Sequence, residues 1–141
     1  MDGCGLVVDT NVFVAAGFEP ASASARLLDA IARGRCRMMW HRTTRRETER
    51  VLRRIPRLDW QRFAPLFRPE WEHEGALDLA PFGAIEDAGD RKFAALAAAT
   101  GSILISSDSH VLARRDALPV RVLKPGEFLA GQAQPTAMPR R

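Results

Sequence analysis

The stretch Leu6-Val7-Val8-Asp9-Thr10-Asn11 decides how this chain folds. Three apolar residues in a row form a short run of buried-strand type, and a carboxylate closes it. The pattern recurs at Ile103-Leu104-Ile105, with Asp108 just beyond. Weaker strand runs fall at Arg37-Met38-Met39-Trp40 and Val120-Arg121-Val122-Leu123, and Leu77-Asp78-Leu79 has the alternation of a further short strand. Helical spacing separates these runs. Residues 41–55 put Thr44, Thr48, Val51, Leu52 and Ile55 on one face and Arg46, Glu49, Arg50, Arg53 and Arg57 on the other. In that register Glu47 falls on the apolar side and Glu49 points outward. Residues 87–100 form a second helix, with Asp87 as N-cap, Phe93, Leu96, Ala97 and Thr100 as the inward stripe, and Gly101 as the stop. Shorter helices are expected from Ser22 or Ser24 to Gly34, from Asp59 through Phe67, and over residues 109–115.

Strands alternating with helices predict a three-layer α/β/α fold around a central, mainly parallel sheet. In such sheets ligands bind beyond the carboxyl ends of the strands, which is where Asp9 and Asp108 stand. The length of 141 residues suits one domain, assigned to residues 1–130. Residues 131–141, rich in Gln, Pro, Ala and Arg, are expected to form a flexible tail. Residues 69–86 follow no clear pattern.

The formal net charge is +4, and only Lys92 and Lys124 among the basic residues are lysine. Arginine suits bidentate phosphate recognition and stacking on bases. A GC-rich genome would produce the same bias without any such role. Cys4 and Cys36 have no metal-ligand spacing, no basic n-region precedes an apolar run, and no apolar stretch reaches the roughly 20 residues that span a bilayer. A soluble, cytoplasmic protein with no membrane association is expected.

Four acids lie where apolar side chains belong: Asp9 and Asp108 at strand ends, Glu47 and Asp90 on inward helix faces. Carboxylates rarely occupy such places uncompensated. Brought into contact they would repel by roughly 4 kcal/mol per pair at an effective dielectric near 20. A divalent cation relieves both costs, and oxygen donors without paired His or Cys favour Mg²⁺ or Mn²⁺ over zinc. Each acid also has a plain structural role open to it. Asp9, Asp87 and Asp108 are good helix caps, Asp90 complements a helix dipole, and Glu47 can pair with a buried arginine.

These residues resemble a known family. Val7-Val8-Asp9-Thr10-Asn11-Val12-Phe13 is similar to the opening motif of PIN-domain ribonucleases, and Glu47 with Val51-Leu52 behind it to the family's helical Glu. Asp90-Arg91-Lys92-Phe93-Ala94-Ala95-Leu96-Ala97 resembles the helix bearing the third acid, and Ile105-Ser106-Ser107-Asp108-Ser109-His110-Val111-Leu112 the strand end bearing the fourth. Leu123-Lys124-Pro125-Gly126-Glu127-Phe128-Leu129 resembles the close of the subgroup described as toxins of toxin–antitoxin pairs. The resemblance spans residues 5–130. It implies a Rossmann-like sheet and a Mg²⁺- or Mn²⁺-dependent endoribonuclease. It also implies Asp9, Glu47, Asp90 and Asp108 as the catalytic, metal-binding ring, with Asn11, Ser107 and Asp87 in support. The chain departs from it at Ser107, where Thr is common, and at His110, where an acid or another polar residue is common. The second departure bears on a second metal position and not on the first.

The function expected from this is metal-assisted hydrolysis of single-stranded RNA, with Arg42, Arg45 and Arg46 on phosphates and His110 at the surface. A toxin would have a cognate antitoxin partner, whose arginine could insert among the carboxylates, and the family favours homodimers. Two rivals are a phosphotransferase with Asp9 as nucleophile and a nuclease-like module that binds RNA or a partner without catalysis. The first lacks a second acid two residues on, since Asn11 stands there.

Overall fold

The computed structural model describes residues 5–132. Four short strands, β1 (Gly5–Val8), β2 (Arg37–Met38), β3 (Ile103–Ile105) and β4 (Val122–Leu123), form a sheet in the order β2-β1-β3-β4. Every pairing is parallel: Leu6 faces Met38 on one side and Ile103 on the other, Val8 faces Ile105, and Ile105 faces Leu123. The helices are α1 (Thr10–Phe18), α2 (Ala23–Ala32), α3 (Arg42–Arg53), α4 (Trp60–Phe63), α5 (Ala88–Thr100), α6 (Ser109–Ala113) and α7 (Pro125–Gln132). Helix α7 runs two residues into the segment expected as a tail; residues 133–141 and Cys4 lie outside the described residues. No described helix is long and apolar enough to cross a membrane.

Alternation along the strands divides the interior into two cores. Leu6, Val8 and Ile105 join Leu27, Leu28 and Ile31 of α2, Phe13 and Ala16 of α1 and Leu52 of α3 on one face. Val7 and Leu104 face the other way, onto Phe93, Ala94, Leu96 and Ala97 of α5 and Val111 of α6. That is the three-layer α/β/α arrangement. The small side chains of α5 bring its axis close to the sheet, and Gly101, at φ 64°, caps the helix in the left-handed conformation that ends it before β3.

The strand order creates a switch point. From β1 the chain moves outward to β2, then crosses back through α3, α4 and α5 to enter β3 on β1's other side. Connections from β1 and β3 therefore diverge, and a crevice opens between their carboxyl ends. Asp9 is the residue after β1. Asp108 follows β3 by three residues.

Leu77-Asp78-Leu79 is not a strand. The edge beyond β2 is taken by an earlier segment: Trp40 bridges to Glu72 in parallel, Trp40 N donates to Trp71 O at 3.2 Å and His73 N to Trp40 O at 2.7 Å. Asp78 instead accepts from Ala80 N at 3.1 Å, a local turn that leads into the 3₁₀ turn over Ala80–Phe82. The loop owes its order to backbone bonds with Trp40 and to the His41 ring bonded to Gly75 O, which hydrophobic periodicity does not reveal.

Helices α1 and α3 meet at a buried hydroxyl pair, Thr10 Oγ1 to Thr48 Oγ1 at 2.8 Å. It fixes the face carrying Glu47 relative to the turn carrying Asp9. Replacing one partner strands the other in a dry interface. Thr48→Val is therefore expected to destabilise the protein by about 1–2 kcal/mol, and Thr10→Val with Thr48→Val by less than the sum of the single changes. Urea unfolding of the three variants measures this.

Candidate active site

Asp9 is the most deeply placed acid, 4% exposed. Its backbone N–H donates to Ile105 O at 2.9 Å, which continues the β1–β3 pairing one residue past the strand. Its two carboxylate oxygens are held differently. Oδ1 accepts from Thr10 N at 2.8 Å, and Oδ2 from Ser106 Oγ at 2.9 Å. The cap role and the site role thus coincide: Asp9 is the N-cap of α1. Ser106, fully buried, also accepts from Asp108 N at 3.1 Å, so one hydroxyl ties the two strand-end acids together. Sequence reasoning passed over Ser106 in favour of Ser107. The signal was there, since a hydroxyl directly after three apolar strand residues must find a buried partner. Ser107 is exposed, and meets Asn11 Oδ1 only through long contacts of 3.3 Å and 3.5 Å.

Asp108 and Asp87 are caps as well, accepting from His110 N and Gly89 N at 2.8 Å each. Asp90 is half-buried in the first turn of α5. Glu47, half-buried on α3, is bound by Arg50 Nη2 at 2.9 and 3.0 Å and approached by Lys92 Nζ at 3.5 Å. Its arginine partner is a neighbour on its own helix and substantially exposed, not a buried one. Glu49 is exposed to almost the same degree as Glu47, at 25% against 24%. What separates the two is their surroundings: Glu49 pairs with Arg45 and Arg53 along α3, whereas Glu47 faces α5.

The electrostatics show the acids converging. Burial raises the Asp9 carboxyl from 3.8 to about 7, and the charges of Asp90 and Asp108 push the same way against the Ser106 and Thr10 hydrogen bonds. Burial also raises Asp90, to about 6, helped by Asp87, Asp108 and Glu47. Glu47 moves the other way: burial would raise it, but the Arg50 hydrogen bond and the Lys92 charge outweigh that and lower it. Asp87, Asp90 and Asp108 line one cleft of about 150 Å³, together with Glu86, His110 and Arg114. Arg42 and Arg46 are exposed, whereas Arg45 lies over Trp60 at 5.3 Å and Phe67 at 5.9 Å.

The donor set is all oxygen, as a hard divalent cation requires, and the cost of burial and the mutual repulsion that together raise Asp9 and Asp90 are what such a cation would offset. Among the described residues no three His, Cys, Asp or Glu side chains are arranged to hold a metal ion as they stand. Asp9, Asp87 and Asp108 each commit an oxygen to a helix cap, and Glu47 commits both to Arg50.

An acid whose pKa is higher folded than unfolded binds more protons in the folded state, so stability falls as pH rises between the two values. In cation-free buffer Asp9 should cost the fold about 4 kcal/mol between pH 4 and pH 7, after which its contribution is level. Half-exposed Asp90 adds a smaller effect of the same sign. Urea unfolding in EDTA across this range should show Asp9→Asn removing most of the slope and leaving the variant more stable than the parent at pH 8. An unchanged slope would mean that Asp9 is solvated.

The fold has counterparts among known proteins. One chain of the crystal structure of FitAcB from Neisseria gonorrhoeae superposes with a TM-score of 0.59 at 16% identity, covering 86% of this chain and 98% of that one. At that identity the likeness is one of fold. No curated protein matches the sequence. The family model described as PIN domain matches residues 5–110, which contain all four acids. Members of that family are in general nucleases, and this chain belongs to the PIN domain family.

Proposed function

We propose that the chain is a metal-dependent endoribonuclease that hydrolyses single-stranded RNA, acting as the toxin of a type II toxin–antitoxin pair. The observation that carries the ribonuclease reading is the coupling of Asp9, Asp90, Asp108 and Glu47 at the switch point between β1 and β3. Asp9, Asp90 and Asp108 would hold Mg²⁺ or Mn²⁺, with Glu47 beside them. The ion, when bound, would supply a water of lowered pKa and neutralise charge gathering on the phosphate. The rest falls to the chain's own groups. Ser106 and Thr10 N fix both oxygens of Asp9, so that carboxylate is aimed before any ligand arrives. Glu47, kept ionised by Arg50 and Lys92, is suited to orient the attacking water. Arg114, His110, Lys92 and Arg42 flank the acids and suit the two sides of a phosphodiester backbone. Asn11, Ser107 and Asp87 would support the ring from its rim, Arg46 would take a more distant phosphate, and Arg45 would contribute less because it is stacked on Trp60.

The toxin assignment rests on the resemblance at residues 123–129, where Glu127 accepts from Arg115 Nη1 at 2.8 Å and Lys124 N at 2.9 Å, locking α7 to the end of β4. A cognate antitoxin would be the partner, and a homodimer and a cytoplasmic location go with that reading. A second reading, a module that binds RNA without cutting it, is favoured by one fact: among the described residues no three acids are arranged to hold a metal ion as they stand.

One experiment separates the two readings. Purified protein is incubated with single-stranded RNA and Mg²⁺, Mn²⁺ or EDTA. Cutting is expected with either metal and absent in EDTA. Asp9→Asn should lower the rate by at least about a hundredfold, and Ser106→Ala by about 10–100-fold through misplacement of Asp9. Binding without cutting, unchanged by Asp9→Asn, would establish the non-catalytic reading.

A further inference from the structure

A second cavity, of about 540 Å³, opens beside the acid cluster where α3 begins. Residues 74–77 and Leu79, Lys92 of α5 and residues 41–43 line it. Its wall is part apolar: Leu77 contributes, and Leu79 is one of two large apolar side chains that stand well exposed among the described residues, at 43%. His41 is buried and its ring is pinned. Thr43 N donates to Nδ1 at 3.1 Å, which leaves Nε2–H to donate to Gly75 O at 3.0 Å, so the imidazole is a fixed flat surface. Two cations, Arg42 and Lys92, stand on the lining against one acid, Glu74. Lys92 also reaches Glu47, which in turn acts on Asp90, so the cavity adjoins the acids through a single side chain.

We infer that this cavity is a nucleobase subsite, taking one unpaired base of the RNA while Arg42 and Lys92 hold the phosphate beside it. The inference rests on the ribonuclease reading above and adds to it the element that selects the strand. A purely apolar ligand would leave the two cations without a purpose. An isolated phosphate would leave Leu77 and Leu79 without one. A nucleotide uses both, with its ring face on the apolar wall and its charge on the cations. A base stacked within a duplex does not reach such a cavity, so occupancy requires a single strand at that position. The occupied position would also lie a fixed number of nucleotides from the cut, making the cavity a determinant of where the enzyme cuts.

The test uses Asp9→Asn protein with Mg²⁺ and fluorescent single-stranded RNA of one sequence, in which a single abasic position is stepped along the chain. Fluorescence anisotropy should show a loss of at least about fivefold at one position and little elsewhere. Adding Leu79→Asp should abolish that positional loss, with Leu79→Ala as a milder second variant; both alter an exposed side chain, and thermal melts confirm folding. Arg42→Ala should weaken every oligonucleotide alike and lower the salt slope by about one. A flat scan, or a positional loss that survives Leu79→Asp, overturns the subsite and leaves the nuclease standing. No RNA binding by Asp9→Asn overturns the subsite too, and cutting by the wild type then decides the ribonuclease reading separately.

Discussion

A carboxylate withdrawn from water at the end of the central strand is the constraint around which this molecule is arranged. Asp9 cannot be moved outward, because its own N–H carries the β1–β3 ladder past Val8 and its Oδ1 starts α1. It cannot ionise freely either, since burial and two neighbouring acids raise its proton affinity to about neutrality. A hydroxyl and an amide donor offset part of the desolvation. The remainder is an affinity for positive charge held in reserve at the switch point of the sheet. The structure is less comfortable than it would be with an apolar residue there, which is what a site kept for a ligand looks like.

Ser106 shows how closely the sheet and the site depend on each other. Its side chain is buried because it extends β3, and its N–H donates to Leu123 O at 3.1 Å. Its hydroxyl then serves both strand-end acids at once. Shifting β3 by one residue would turn that hydroxyl away from Asp9 and put Ile105 or Ser107 in its place. The parallel register Val8↔Ile105 is therefore as much a part of the candidate active site as the carboxylates are.

How much could be read from the residues follows from the range of the interactions involved. Leu6-Val7-Val8 and Ile103-Leu104-Ile105 declare strands because burial on both faces is a local property of the side chains. Asp87 and Gly101 declare the ends of α5 because capping spans only a few residues. The acid set was legible for the same reason: each member breaks a local apolar pattern. What stayed hidden depends on partners distant in sequence. Residues 71–75 are ordered by bonds to residues 40 and 41, so their own composition carries no period, and the alternating Leu77-Asp78-Leu79 misleads because no strand edge is left for it. Lys92 was hidden likewise. It reads as a surface lysine on α5, and its meaning comes from Glu47, 45 residues earlier.

The acids are not equivalent, and their differences argue for different roles. Asp9 and Asp90 have environments that favour the proton, Asp9 the more strongly, so a cation binding at Asp9 would compete with a proton near neutral pH. Glu47 has an environment that favours the charge, supplied by Arg50 and Lys92, so it is a carboxylate whether or not a cation is present. Carboxyl groups pushed in opposite directions within one site are suited to different tasks, and Glu47 is the one held as an anion by its cationic neighbours. Lys92 adds a further consequence. If the neighbouring cavity takes a phosphate as proposed, that phosphate would compete with Glu47 for the same ammonium group. Any weakening of the 3.5 Å Lys92–Glu47 pair returns negative charge to the cluster at the moment when the phosphate is in place. On this view the pair couples occupancy of the cavity to readiness of the acids, and the short strands and caps of the fold hold the two a side chain apart.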